Sequence, residues 1–173
     1  TGNWNLRGDI NITHFNASYP GPITAPLLDG DQRITRGVTS FAIENNYEQT
    51  SGGLSFFYNW GKHWINDGYT PSKEEKPQDG RFNSRDNMMG VSLYQSMQFF
   101  KGNRITAGID WFRYGGKAWN EYVSGEHIGT TSDLVNKHEN ELAGYVDLRQ
   151  NIGTWLTFNA GLRADHHSRV GLE

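Results

Sequence analysis

From Asn140 to His167 apolar and polar side chains alternate with a period of two through two arms, interrupted only by the short break Asn151 to Gly153. In the first arm Leu142, Gly144, Val146 and Leu148 share one face and Ala143, Tyr145, Asp147 and Arg149 the other. In the second, Leu156, Phe158, Ala160, Leu162 and Ala164 alternate with Thr157, Asn159, Gly161, Arg163 and Asp165. Side chains that alternate between two faces define a β-strand, so the unit is a hairpin. Each arm runs to about eleven residues, against five or six for an ordinary soluble strand. A tilted strand that crosses a bilayer needs roughly 9 to 11.

The same unit recurs along the chain. Strands are predicted near Trp4 to His14, Gly37 to Gln49, Gly53 to Trp64, Asn87 to Phe100 and Arg104 to Tyr114, which with the hairpin makes seven. The links between them alternate in length. Asn16 to Arg36, Ile65 to Asp86 and Gly115 to His138 are long, and Thr50 to Gly52, Lys101 to Asn103 and Asn151 to Gly153 are short. All five prolines fall in the first two long links, where no ladder hydrogen bond is lost. Short turns at one end and long polar loops at the other are the pattern of outer-membrane barrels, with the turns periplasmic and the loops extracellular.

Composition narrows the classes further. A formal net charge of -3 offers no basic surface for nucleic acid. Without cysteine there is no disulfide and no thiolate metal site. The mean hydropathy of -0.71 and the lack of any long apolar run exclude a transmembrane helix, though not a membrane barrel, whose strands interleave their apolar half with polar residues. Thr1 begins on a strand-like pattern with no basic start or apolar core of a signal peptide, so the expectation is a mature chain or an excerpt from one.

The faces also differ in charge. Leu, Ile, Val, Phe, Met and Trp dominate one, while the other places Glu44, Asp110, Asp147, Arg149, Arg163 and Asp165 together with Arg7 and Asp9. In a barrel these charges line a wet lumen, contact whatever fills it, or pair with one another. In a soluble antiparallel sheet they would be the solvent face.

The segments NMMGVSLYQSMQFFKGNRITAGIDWFRYGGKAWN and NELAGYVDLRQNIGTWLTFNAGLRADHHSRVG resemble barrel strands of TonB-dependent outer-membrane receptors, and the strand ending AGLRADHHS carries the likeness most clearly. The resemblance implies an all-β, antiparallel transmembrane barrel segment of about seven long strands. Residues 1–173 would then be an interior piece of a barrel of 22 strands, with the plug domain, the TonB box and the final aromatic-ended strand outside it. It implies active import of a scarce nutrient such as a metal–siderophore, haem or cobalamin at the bacterial outer membrane. Its implied partners are membrane lipid, the plug, the TonB complex, a small-molecule or chelate ligand and a surface lipoprotein.

Candidate ligand-binding residues are the aromatic and imidazole groups assigned to outer loops or rims: Trp119, Tyr122, Tyr69, His63 and His127, with Asp67 and Glu121 beside them. The remaining histidines, His14, His138, His166 and His167, lie at the same end, but no pair has the i, i+4 spacing of a helical metal site. No HExxH, GxSxG or P-loop is present, so no enzyme, metal or cofactor is expected. Two other readings remain: a soluble secreted carbohydrate-binding β-sandwich using Trp119, Tyr122 and Tyr69, and a small passive porin-like barrel.

Overall fold

β-Branched and aromatic residues at every second position favour extended backbone, and here they do so in long runs. The computed structural model describes residues 2–172; Thr1 and Glu173, the ends of the range assigned above, lie outside the described residues. Seven long strands follow one another: β1 (Trp4–Ser18), β2 (Leu28–Asn46), β3 (Thr50–Tyr69), β4 (Gly80–Met97), β5 (Asn103–Tyr122), β6 (Thr131–Ile152) and β7 (Leu156–His167). A two-residue β8 (Gly171–Leu172) pairs back on β7, and a 3₁₀ turn spans Pro71–Lys73. The strands form one antiparallel sheet in chain order, and the sheet is not closed.

Strand number and direction match the expectation from sequence, but the boundaries need correction at the long-loop end. The three long links shrink to 19–27, 70–79 and 123–130, because the hairpins zip on beyond the apolar alternation. Leu28 to Arg36, expected as loop, is instead strand, and from Asp31 on it pairs on both sides, Gln32 with Ala17 and Ile65, and Arg33 with Asn16 and Trp64. The polar stretch adopts its neighbours' conformation because each extra residue pair satisfies backbone groups that a loop would leave to water. The loop closes where Tyr19 N–H donates to Gly30 O (2.7 Å) and Leu27 N–H to Pro20 O (2.9 Å). At the other end the turns are 47–49, 98–102 and 153–155, so Thr50 to Gly52, expected as a turn, opens β3. The alternation of shorter and longer links nevertheless persists, and no proline enters a strand.

Residues paired across an antiparallel sheet project from the same face, so the register sorts every strand side chain. One face reads, across the sheet, Leu6, Ile43, Leu54, Leu93, Ile109, Gly144 and Ala164, and in the next row Gly8, Phe41, Phe56, Val91, Trp111, Leu142 and His166. Over Trp4–Ile12, Gly37–Asn45, Gly52–Trp60, Asn87–Met97, Ile105–Trp111, Leu142–Gln150 and Leu156–His166 this face bears no Asp, Glu, Lys or Arg, and the next β5 residue on it is Arg113, level with Met89 and Tyr58. The opposite face of the same rows holds Arg7, Asp9, Glu44, Arg104, Asp110, Glu141, Asp147, Arg149, Arg163 and Asp165.

No second layer covers either face among the described residues. The buried hydrophobic residues are Ala118 and Ala143, while Leu6, Ile10, Ile109 and Leu162 are 65, 76, 55 and 79 % exposed. A sheet with a bare apolar face of this extent needs a partner medium or a partner surface.

Glycines admit the close approaches. A Cβ on Gly116 would sit 2.5 Å from the Arg85 carbonyl oxygen and 3.2 Å from Asp86 Cα, both backbone atoms of β4, whereas one on Gly144 meets nothing within 4 Å. Gly116→Val in the full chain is therefore expected to lower unfolding stability by about 1–3 kcal/mol. Gly144→Val should stay within about 0.5 kcal/mol of the parent. Denaturant midpoints in detergent check the pair, and equal losses would contradict the packing described.

Candidate functional site

The polar face gathers its charges into clusters, each built across neighbouring strands. On β7, Arg163 donates from NH1 to Asp110 of β5 at 2.8 Å and pairs through NH2 with Asp165 at 2.8 Å. Its guanidinium also stands 5.8 Å from the centroid of Tyr145, the residue directly opposite on β6. Tyr145 in turn lies over Gly108, where any Cβ would collide with the phenol ring. A similar arrangement lies two rows further on, where Phe57 and Phe112 meet over Gly90 with ring centroids 6.1 Å apart. Large rings reaching across a glycine on the adjacent strand keep this face packed without a second layer.

A second ion pair joins Arg7 of β1 to Glu44 of β2 at 2.6 Å. Asp147 and Arg149 have no ion-pair partner among the described residues; Arg149 stands directly opposite Arg104, and Asp147 lies against Gly161. Thus Asp110, Arg163 and Asp165 come together in one cluster, Glu44 has its own arginine, and the other two residues stand apart. Every one of these charges is at least partly solvent-exposed, so each pair contributes little stability on its own, on the order of 0–1 kcal/mol.

Two further clusters lie nearer the long-loop end of the same face. Arg36 binds Asp86 at 2.8 Å and contacts His63 Nε2 at 3.0 Å. His63 is 3.9 Å from the same carboxylate, so it belongs to a three-residue group spanning β2, β3 and β4. At β5 to β7, the Tyr114 hydroxyl and His167 Nε2 are 2.7 Å apart, and Glu139 is 3.4 Å from that nitrogen and 3.7 Å from Arg169. Sequence reasoning missed both groups, because their members are far apart in the chain and meet only through register.

The aromatic candidates are divided. Tyr69 ends β3 and Trp119 and Tyr122 lie in β5, so all three sit on strand extensions and not in loops. Register places Trp119 on the apolar face, opposite Asn83 and Asp133, while Tyr122, Tyr69 and His63 belong to the polar face. His127, in the 123–130 loop, contacts Tyr122 edge-on at 5.7 Å. Glu121 shares the face of Trp119, and Asp67 that of Tyr69. Consecutive His166 and His167 point to opposite faces, His166 across from Leu142 and His167 across from Glu141. No group of three or more His, Asp or Glu is placed to hold a metal among the described residues.

The arrangement can bind polar and charged groups over a broad wall and offers flat aromatic surfaces near the long-loop end. No protein-family model, curated protein or solved structure matches the chain.

Proposed function

We propose that this sheet is a section of the wall of an outer-membrane β-barrel, and that the barrel belongs to a TonB-dependent receptor importing a scarce chelated or ring-shaped nutrient. The observation that supports this most is the pairing of two patterns in one sheet: a face whose middle rows are apolar with Arg113 as their single formal charge, and links sorted by length between the two ends. Hydrocarbon tolerates strands only when every backbone group is paired and the side chains facing it are apolar.

The dimensions agree with that setting. On β3 this face carries no charged side chain from Gly52 to Trp60, and the one cation in those rows is Arg113 of β5, level with Tyr58. About ten residues tilted by roughly 45° rise close to the 25 Å of an outer-membrane apolar band. Aromatic rings mark both margins, Trp4, Tyr47, Phe99 and Trp155 toward the short turns and Trp60, Trp64 and Trp119 toward the longer links, as expected of interfacial belts. The rest of each long strand, such as Gly61 to Tyr69 of β3, would stand above the membrane and carry the ligand-facing clusters around His63 and Tyr122.

On this reading the polar face meets the plug. Transport is active, driven through the TonB complex, and the outer extensions and loops make the first contact with ligand. A carbohydrate-binding sandwich would need a second sheet, and none faces this one among the described residues.

Two outcomes are expected. External trypsin added to intact cells should cut the 70–79 link after Lys73, and should reach Lys101 only after the outer membrane is opened; the reverse order would invert the proposed topology. Cells producing the full receptor should accumulate a chelated metal, haem or cobalamin, and collapse of the proton-motive force should abolish uptake. Uptake unaffected by the collapse would mean a passive pore, and recovery of the chain in the soluble fraction would mean a secreted binding protein.

A further inference from the structure

Apart from Arg113 of β5, which shares a row with Tyr58 and Met89, the formal charges of the apolar face lie at its long-loop margin, and there most of them are positive. Lys62 of β3, Arg85 of β4 and Lys117 of β5 are direct cross-strand partners in a single row. The next row outward holds Arg33, Trp64, Asn83, Trp119 and Asp133. Adjacent strands lie about 4.7–4.9 Å apart, so three cations stand within roughly 10 Å of one another. Like charges directly opposite in a sheet repel, and nothing in the backbone requires them here.

The protein's own acids do not neutralise the row. Lys117 reaches Asp133 at 2.8 Å, but neither Lys62 nor Arg85 has a carboxylate partner among the described residues, and both are exposed. Two tryptophans lie beside Arg33, Arg85 and Lys117. Arg33 lies 4.5 Å from the Trp64 ring, and Arg85 and Lys117 lie 5.7 and 5.8 Å from that of Trp119. Arg85, Lys117, Trp119, Thr131 and Asp133 line a shallow hollow of about 250 Å³. The extra residue Leu134 in β6, where the register shifts opposite Ala118 and Trp119, turns Asp133 onto this face and shapes the hollow's rim.

Cations for phosphate, indole faces for sugar rings and, past Arg113, an apolar band further down the same face for acyl chains describe one kind of molecule. We propose that this margin binds a phosphorylated, acylated sugar amphiphile of the outer leaflet, with its phosphates between Lys62, Arg85 and Lys117. The site rests on the membrane reading above and goes beyond it, since it lies on the face away from any imported ligand.

The test uses the full receptor in phosphatidylcholine nanodiscs, with bisphosphorylated lipid A as the probe and native mass spectrometry or microscale binding as the readout. The parent should bind lipid A in preference to dephosphorylated lipid A and to phosphatidylglycerol, and millimolar inorganic phosphate should not displace it. The K62Q/R85Q/K117Q variant should bind roughly 100-fold more weakly, on the order of fivefold per cation removed. K73Q/K76Q/K101Q, which removes the same charge from links and turns, should bind as the parent does. Equal binding by the two triple variants, equal affinity for phosphatidylglycerol, or displacement by inorganic phosphate would overturn the site while leaving the barrel reading intact. Failure of the parent chain to enter nanodiscs would overturn both.

Discussion

Everything in this chain depends on the cross-strand backbone hydrogen bond, because the sheet has no second layer to hold it. In a sandwich or an α/β domain, strands are fixed jointly by the ladder and by a core. Here Ala118 and Ala143 are the buried hydrophobic residues, and the ladder alone sets which side chains meet. An antiparallel sheet obeying that rule for seven long strands has two independent faces, and each must suit its surroundings separately. The apolar face does so by admitting a single formal charge, Arg113, to its central rows. The polar face does so by clustering charges and laying aromatic rings over glycines on the neighbouring strand, as Tyr145 does over Gly108.

The two faces also explain why the charges occur where they do. Asp110, Arg163 and Asp165 satisfy one another on the polar face, where water or a proposed plug is at hand. On the other face Lys62, Arg85 and Lys117 lie past the last apolar row, at a height where the proposed membrane changes from hydrocarbon to headgroups, and Arg113 stands two rows below them. A single strand such as β3 therefore passes through both environments along its length, and its residues change character at Trp60 on one face while remaining polar on the other.

Much of this was legible in the sequence wherever a strand has an apolar and a polar side. The alternation through β3, β5 and the β6–β7 hairpin is enough to assign their faces, and the lumen candidates Glu44, Asp110, Asp147, Arg149, Arg163 and Asp165 fall on one face because period-two parity is a local property. Strand extensions such as Leu28 to Arg36 and Thr131 to His138 were not legible. Both of their sides are polar, and they are extended because a neighbour offers a ladder, which is a long-range cause. The clusters Arg36–Asp86–His63 and Tyr114–His167–Glu139 depend on register between distant segments, which parity does not fix. Trp119 illustrates the same limit. Its type suggested a loop aromatic near Tyr122, yet it lies in a strand three positions before Tyr122, and an odd spacing puts the two on opposite faces.

The central claim is that the apolar face meets hydrocarbon while the other meets water. These 173 residues contain no cysteine, so single cysteines can be placed at each position from Arg104 to Arg113 of β5 in the proposed receptor, with any cysteine elsewhere in it replaced, then labelled with a fluorophore and reconstituted in bilayers. The account predicts quenching by a lipid-embedded quencher at Ile105, Ala107, Ile109 and Trp111, quenching by a water-soluble agent at Thr106, Gly108, Asp110 and Phe112, and a clean alternation between the two. Water-soluble quenching at all of these positions, or an alternation of the opposite phase, would contradict it.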